Sequence, residues 1–143
     1  MEERLPVDWA AYLDDTPVLV AYLFGSRARG EPHPRSDIDI AVLLQEGLPS
    51  LEKQRWRLAL IARLSRVLRT DDVDVVVLNE ASPMLRYEAI RPRRVLFCRD
   101  EEARVAFEFR TMQEWFDWQP RFDRLQTAWC RYVLQKAVGG DSV

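Results

Sequence analysis

The chain has 143 residues, of which 48% are hydrophobic and 31% are charged, and this composition suits one soluble globular domain with its own core. Its 21 basic and 23 acidic residues give a net charge of −2, so no overall basic field favours binding to nucleic acid or anionic lipid. No segment has the pattern of a signal peptide or reaches the roughly 20 apolar residues of a membrane span, so we expect neither secretion nor membrane insertion.

The first half of the chain predicts three strands and one helix. Apolar runs rich in β-formers predict strands over residues 18–24, 38–44 and 73–78. Between the last two, the pattern over residues 50–68 predicts an amphipathic helix with Ser50 as its N-cap. The apolar residues that we expect on the buried face of this helix are Leu51, Trp56, Leu58, Ile61, Leu64 and Leu68.

The second half predicts one strand and three helices. Ser82 before Pro83 predicts a helix that continues to about residue 90, and residues 95–98 predict a short fourth strand. From residue 101 the pattern is helical, and Pro120 predicts a break between helices over 101–118 and 122–138. We expect most of the large aromatic residues there to lie in the core, namely Phe107, Phe109, Trp115, Phe116, Trp118, Phe122, Trp129 and Tyr132.

The order of these elements predicts an α/β (α+β) fold, with a small mixed sheet of about four strands flanked by helices and a C-terminal helical pair. We expect one domain over residues 1–143, with a core of about residues 15–98 and C-terminal helices over about 101–138. The two cysteines, Cys98 and Cys130, lie far apart without metal-ligand spacing. They predict buried free thiols, which fits a reducing cytoplasm.

Asp37 and Asp39 stand two residues apart at the start of the second predicted strand. Side chains alternate between the two faces of a strand, so both carboxylates are expected on one face, opposite Ile38, Ile40 and Val42. Such close like charges repel unless a cation lies between them, and Mg²⁺ prefers hard oxygen ligands. Alone, an Asp-x-Asp pair is more often a solvated strand edge, so the assignment as metal ligands depends on its context.

Gly25 and Ser26 provide part of that context, because they follow the first predicted strand and precede Asp37 by ten intervening residues. A glycine at a strand exit lets the backbone approach a phosphate without a Cβ in the way. Ser26 adds a hydroxyl and an N–H that can bind the same oxygens. Gly25 and Ser26 are therefore candidate phosphate ligands, although a Gly-Ser pair alone is typical of an ordinary turn.

Asp74 lies inside the apolar run of the third predicted strand. An ionised carboxylate buried there without a partner would cost several kcal/mol. A metal ion is the partner that we expect, and a salt bridge to one of the many arginines is the alternative. Asp72 shares the strand parity of Asp74, but next to Asp71 it is more typical of the turn before the strand.

Two segments, Leu23-Phe-Gly-Ser-Arg-Ala-Arg-Gly30 and Ser36-Asp-Ile-Asp-Ile-Ala-Val42, together resemble the signature of the DNA polymerase β-like nucleotidyltransferase superfamily. The closest resemblance is to its minimal nucleotidyltransferase (MNT) branch. It continues through residues 73–78, 85–88 and 95–97 and a helical tail with Trp115-Phe-Asp-Trp118, so it covers most of the chain. The resemblance implies the DNA polymerase β-like nucleotidyltransferase fold.

The resemblance also implies roles for individual residues. By position, Gly25 and Ser26 would bind the triphosphate of ATP. Asp37 and Asp39 would bind Mg²⁺, as two ions in the family pattern, and Asp74 would be the third carboxylate at the metals. Three further residues match the family pattern and are candidates for nucleotide contact, namely Arg27, Arg29 and Ser36.

Many members of the MNT branch are antitoxins of HEPN/MNT toxin–antitoxin pairs. In that family the antitoxin can transfer AMP from ATP to a tyrosine of a helical HEPN ribonuclease toxin, which blocks the RNase site. The resemblance therefore implies a protein adenylyltransferase that forms a hetero-oligomer with a cognate HEPN toxin. Two alternatives stay open: an antitoxin that acts by binding alone, and a small-molecule nucleotidyltransferase of the aminoglycoside type.

Overall fold

The computed structural model describes residues 7–25 and 38–139. These residues contain a four-stranded sheet in the order β3-β2-β1-β4. The central strand β1 pairs antiparallel with β2 and with β4, whereas β2 and β3 run parallel. The predicted small mixed sheet is therefore confirmed. In chain order the strands are β1 (Val18–Phe24), β2 (Ile38–Leu44), β3 (Val73–Val77) and β4 (Val95–Cys98).

Helices account for most of the remaining described residues, and a 3₁₀ turn, Leu78–Glu80, follows β3 directly. The prediction of a helix that starts at Pro83 is confirmed, and Ser82 caps it by accepting a hydrogen bond from the Leu85 N–H at 3.2 Å. A short first helix was not predicted. The described helices are α1 (Trp9–Leu13), α2 (Ser50–Leu68), α3 (Pro83–Ile90) and α4 (Glu101–Gly139).

Apolar side chains cover both faces of the sheet. On one face Ile38, Ile40 and Val42 of β2 pack with Leu60 and Leu64 of α2, and α1 completes this cluster. The prediction that this parity of β2 faces the core is confirmed. On the other face lies a second cluster that includes residues of α3 and α4, and its buried members are Val20, Tyr22, Ala41, Leu43, Leu78, Ala89, Ile90 and Phe107.

Tyr22 joins β1 to α4 across the second cluster. Its hydroxyl donates a hydrogen bond to Glu108 Oε2 at 3.1 Å, and Arg104 donates another to the same oxygen at 2.6 Å. Burial raises the pKa of Tyr22 above its usual value, and the neighbouring Glu108 carboxylate raises it further. The phenol therefore stays neutral and tethers the first half of α4 to the sheet.

Two helix predictions are wrong in detail. Ser50 is the first helical residue of α2 and not its cap, because Pro49 takes the cap position and the Ser50 hydroxyl donates to Glu80 Oε1 at 2.9 Å. The two C-terminal helices are one continuous helix, α4, with Pro120 inside it. The missing N–H of a proline removes one helical hydrogen bond but does not by itself end the helix here.

Several predicted core residues are exposed. Leu51 and Leu58 of α2 are 64% and 61% exposed, because the sheet covers only the side of the helix that carries Leu60 and Leu64. Of the eight aromatic residues expected mostly in the core of the C-terminal region, only Phe107 is buried. Trp115, Trp118 and Phe122 are half-buried, and the exposed ones are Phe109, Phe116, Trp129 and Tyr132.

Both cysteines are free thiols, as predicted, but the prediction that both are buried is wrong. Cys98 is half-buried at the end of β4, and its Sγ donates to Glu101 Oε2 at 3.3 Å. Cys130 is exposed, because no other described element covers that part of α4. Over the described residues, no helix, including the 39-residue α4, has the length and apolar character needed to cross a membrane.

Candidate functional site

Asp39 and Asp74 lie side by side on neighbouring strands. In the parallel pairing of β2 with β3, Asp39 is the partner of Asp74. Paired residues of adjacent strands point to the same face, and the strands are about 4.8 Å apart. Asp39 shares its parity with Ala41 and Leu43, which belong to the cluster under α3 and α4. Two carboxylates that are 35 positions apart in sequence therefore share one face at one end of the sheet.

Gly25 lies directly against the Asp39 carboxylate. It follows β1, has a φ of +77°, and a Cβ built on it would lie only 2.3 Å from Asp39 Oδ2. A side chain at this position would force the Asp39 carboxylate to shift, and the positive φ would add strain, so the backbone conformation and the close approach both favour glycine. The half-buried Asp39 is paired with Phe24 across the β1–β2 ladder, which brings the end of β1 to this position.

Asp74 does not occupy the buried environment that its apolar neighbours predict. β3 is an edge strand, and the Asp74 side chain is 51% exposed. Its Oδ1 accepts hydrogen bonds from the Val75 N–H at 2.9 Å and from Arg57 Nη2 at 3.2 Å. The alternative of a salt bridge to an arginine is thus observed, and Asp74 is neither buried nor without a partner.

Arg57 of α2 reaches this site from the other side of β3. Its Nε donates to the Val75 carbonyl at 2.8 Å while its Nη2 donates to Asp74 Oδ1. The two bonds hold the guanidinium in one orientation and fix one oxygen of Asp74. The sequence did not predict this role, since no spacing distinguishes Arg57 from the other arginines of the helix.

Asp72, the alternative third carboxylate, precedes β3 in the turn. Its backbone carbonyl accepts from the Ile38 N–H at 2.7 Å, and its side chain is exposed. The register favours Asp74 over Asp72 as the neighbour of Asp39. The other predicted site residues lie outside the described residues, and they are Ser26, Arg27, Arg29, Ser36 and Asp37.

The donor set at this end of the sheet fits a hard divalent cation. Asp39 and Asp74 supply carboxylate oxygens from adjacent strands, and a cation between them would offset their repulsion. Within residues 7–25 and 38–139, no group of three or more metal-binding side chains is found. Asp37, which lies outside the described residues, has the same parity in the sequence as Asp39 and is therefore the candidate for a third carboxylate.

A separate cavity of about 290 Å³ lies near the opposite end of β2, under α4. Leu43, Asn79, Phe107 and Thr111 are among its lining residues, and it includes none of Gly25, Asp39 and Asp74. Arg86 also borders this cavity and donates from Nε to the Leu78 carbonyl at 3.0 Å. Arg86 therefore stabilises the 3₁₀ turn after β3 and is not part of the candidate site.

The chain is similar to known nucleotidyltransferases. The family model described as polymerase beta, nucleotidyltransferase matches residues 10–102. Over 85 residues the chain is 40% identical to the protein adenylyltransferase MntA of Shewanella oneidensis, and the alignment covers 59% of this chain. It covers 58% of that relative, so the chain spans less than two thirds of the length of the curated relative that it matches.

Two solved structures are similar over most of this chain. One is a crystal structure of a toxin–antitoxin with AMP-PNP. Its matching chain has a TM-score of 0.62 and 28% identity, and the match covers 82% of this chain and 95% of that chain. The other is tri-AMPylated Shewanella oneidensis HEPN toxin in complex with MNT antitoxin. Its matching chain has a TM-score of 0.56 and 25% identity, with 82% of this chain and 92% of that chain covered.

Proposed function

This chain belongs to the polymerase beta nucleotidyltransferase family, and we propose that it is a protein adenylyltransferase that acts as an antitoxin. It transfers AMP from ATP to a tyrosine of a cognate HEPN-domain ribonuclease toxin and forms a hetero-oligomer with it in the cytoplasm. The observation that carries the proposal is the pairing of Asp39 with Asp74 beside Gly25. The similarity to a named protein adenylyltransferase and to a complex with AMPylated toxin supports it.

The proposed nucleotide site combines this pair with the residues around it in sequence. Asp37, Asp39 and Asp74 would hold Mg²⁺, and Gly25 and Ser26 would contact the triphosphate. Arginine side chains in the intervening segment would offset its negative charge. The further proposed nucleotide contacts are Arg27, Arg29 and Ser36.

Divalent cations bound at such carboxylates lower the pKa of an attacking hydroxyl and offset charge on the attacking and leaving oxygens. In the transfer, the tyrosine oxygen of the acceptor bonds to the α-phosphorus of ATP, the bond from that phosphorus to the β-bridging oxygen breaks, and pyrophosphate leaves. Asp74 accepts the tyrosine proton through the oxygen that Arg57 does not hold. Gly25 lets the backbone approach the phosphates, because no Cβ stands between them and Asp39.

The decisive experiment compares Asp39→Asn, Asp74→Asn and Asp72→Asn with the unmodified chain. Each is incubated with labelled ATP, Mg²⁺ and the HEPN toxin, and the toxin mass is measured. We expect Asp39→Asn and Asp74→Asn to abolish the mass increase in AMP units, whereas Asp72→Asn retains it. Circular dichroism checks that each variant is folded, and Mn²⁺ binding followed by electron paramagnetic resonance should weaken in the Asp39 variant.

Retained transfer by a folded Asp39→Asn variant would overturn the assigned site. No transfer by the unmodified chain, together with toxin neutralisation by both the unmodified chain and Asp39→Asn, would overturn the enzymatic proposal and assign an antitoxin that acts by binding alone. Transfer to an aminoglycoside but not to the toxin would assign the small-molecule alternative.

The proposal also includes the domain organisation. We propose one domain over residues 1–143, with a core of about residues 15–98.

A further inference from the structure

One face of α4 is apolar along nearly the whole helix, but the other described residues cover it only in its first half. Residues on this face recur at intervals of three and four, which places them in one stripe along an α-helix. The stripe passes through both halves without interruption at Pro120. We call these residues the α4 stripe, and they are Phe107, Thr111, Trp115, Trp118, Phe122, Leu125, Trp129 and Tyr132.

The first half of the α4 stripe is the interface between α4 and the rest of the domain. Phe107 is 4% exposed and packs in the cluster on the second face of the sheet. Trp115 stacks on Tyr87 of α3 with ring centroids 4.8 Å apart and planes within 7°. Trp118 and Phe122 continue this aromatic contact along the helix, with centroids 4.7 Å apart. This half of the stripe is therefore an established packing surface.

No other element of the described part of the chain covers the second half of the same stripe. Leu125 is 68% exposed, Trp129 63% and Tyr132 51%, and residues 123–137 are all exposed. Helical residues after 118 extend for about 30 Å at 1.5 Å per residue. An isolated helix of this length is marginal in water, and Pro120 weakens it further. A surface that carries a leucine, a tryptophan and a tyrosine in line with a packed interface is typical of a docking site.

The charge of this segment selects among possible occupants. Helical spacing places two charged side chains of residues 119–137 on the side of the α4 stripe, Arg121 and Lys136, and both are basic although the whole chain has a net charge of −2. Asp123, Arg124 and Arg131 lie together on another side of the helix. A second copy of the same segment packed alongside would bring like charges together. An occupant with an apolar groove would complement the leucine and the aromatic residues, and carboxylates beside that groove would complement the basic side chains.

We propose that Leu125, Trp129 and Tyr132 dock a partner protein through an apolar groove bordered by carboxylates. Because the stripe continues the packing surface of α4, the docked partner would lie on the same side of α4 as the nucleotidyltransferase domain and next to α3. The identity of this partner as the HEPN toxin rests on the proposed function. The second half of α4 thus holds the substrate protein, and the carboxylate site modifies it.

Leu125→Arg and Leu134→Arg form a matched pair for the test. The two leucines are 68% and 65% exposed on the same helix, and they stand nine positions apart, which places them on opposite sides. Each full-length variant is titrated against the purified HEPN toxin by isothermal titration calorimetry. We expect Leu125→Arg to weaken binding at least about tenfold and Leu134→Arg to leave it within about twofold. Unfolding midpoints should match, since both leucines are exposed.

Equal effects of the two substitutions, or no binding of the unmodified chain to the toxin, would overturn the docking proposal. Light scattering on the chain alone gives a second readout, and a dimer lost in Leu125→Arg but kept in Leu134→Arg would assign the stripe to a second copy instead. Adenylylation is scored separately by toxin mass. Binding that depends on Leu125 without any AMP transfer would support docking and contradict the enzymatic proposal alone.

Discussion

At the scale of single residues, Gly25→Ala tests whether the close approach to Asp39 matters. The new methyl group would lie 2.3 Å from Asp39 Oδ2, so the carboxylate must move. A displacement of about 1 Å at a reacting centre can lower the rate about a hundredfold, and we expect a fall of at least that size. The measurement is the initial rate of AMP incorporation into the toxin at saturating ATP.

Gly47→Ala is the matched control for that substitution. Both glycines have positive φ, +77° at Gly25 and +89° at Gly47, so an alanine at either position carries about 1–2 kcal/mol of backbone strain. Among the described residues other than its two chain neighbours, no atom lies within 4 Å of a Cβ built at Gly47. Gly47→Ala should therefore lower the free energy of unfolding but keep full transfer. Equal rates in the two variants would contradict a role for the contact between Gly25 and Asp39.

Arg57→Gln tests whether Asp74 needs to be held in position. Arg57 pairs with Asp74, and Arg63 of the same helix pairs with Asp15, with arginine side chains that are 35% and 34% exposed. Pairs this exposed contribute about 0–1 kcal/mol, so both Arg→Gln variants should keep their stability. We expect only Arg57→Gln to lower kcat, by about tenfold, with little change in the KM for ATP.

Steady-state kinetics with the toxin as acceptor measures that difference, and Arg57→Lys should recover part of the rate because it keeps the positive charge. A similar loss in Arg57→Gln and Arg63→Gln would indicate a general effect on the helix. The sequence predicted that Asp39 and Asp74 lie on strands, and the structure places them there, side by side. The sequence could not identify Arg57, since which arginine of α2 meets β3 depends on how the helix packs on the sheet.

At the scale of elements, Pro120 lies within a continuous helix and weakens it. Proline supplies no N–H, so the carbonyl of Phe116 lacks its usual donor, and an interior proline is about 3 kcal/mol less favourable than alanine. Pro120→Ala should therefore raise the helix content and slow amide exchange in residues 121–137. Far-UV circular dichroism and hydrogen–deuterium exchange measure the two effects. Gln119→Ala is the control and should leave amide exchange unchanged. Unchanged exchange in Pro120→Ala as well would show that the proline does not weaken this helix.

Element boundaries were predictable wherever local signals agreed. The strand β1 ends where Gly25 closes an apolar run, and α3 starts where Ser82 precedes Pro83. Pro120 misled the prediction because a proline signals a helix boundary locally, whereas helical residues on both sides continue the same apolar stripe. The five-residue α1 has too few turns to give a periodic pattern, so its sequence predicts no helix.

At the scale of the whole molecule, surface carboxylates make stability depend on pH. The pKa of Asp15 is lowered by its hydrogen bond with Arg63, that of Glu80 by Lys53, and that of Glu101 by Arg104. A carboxylate with a lowered pKa in the folded state stabilises the fold above its unfolded pKa and loses that contribution as the pH falls through the folded value. The free energy of unfolding should therefore decline below about pH 4.

Urea unfolding at several pH values between 7 and 3 measures this decline. A combined variant with Asp15→Asn, Glu80→Gln and Glu101→Gln lacks the three titrating groups and should show a shallower dependence over the same interval. An equally steep decline in that variant would assign the acid sensitivity to other carboxylates.

The number of strands was predictable from the sequence, but their order was not. Four apolar runs predict four strands, whereas the order β3-β2-β1-β4 depends on which strands pair in space. That order decides which aspartate lies opposite Asp39, and it places β3 at an edge. The exposure of Asp74 follows from this edge position. The apolar residues around Asp74 in the sequence predict a buried side chain, because they carry no information on the strand order.

The edge position of β3 has a consequence for solubility. In a parallel ladder every second residue directs its N–H and C=O to the neighbouring strand. The Asp72 carbonyl accepts from the Ile38 N–H of β2, so the backbone groups of Val75, three positions later, point away from β2. Unpaired outward groups are a template for another chain to add a strand. Here Asp74 accepts from the Val75 N–H and Arg57 donates to the Val75 carbonyl, so the ion pair blocks the middle of this edge. The same two side chains that we assign to nucleotide transfer thus also protect the folded chain from joining others into aggregates.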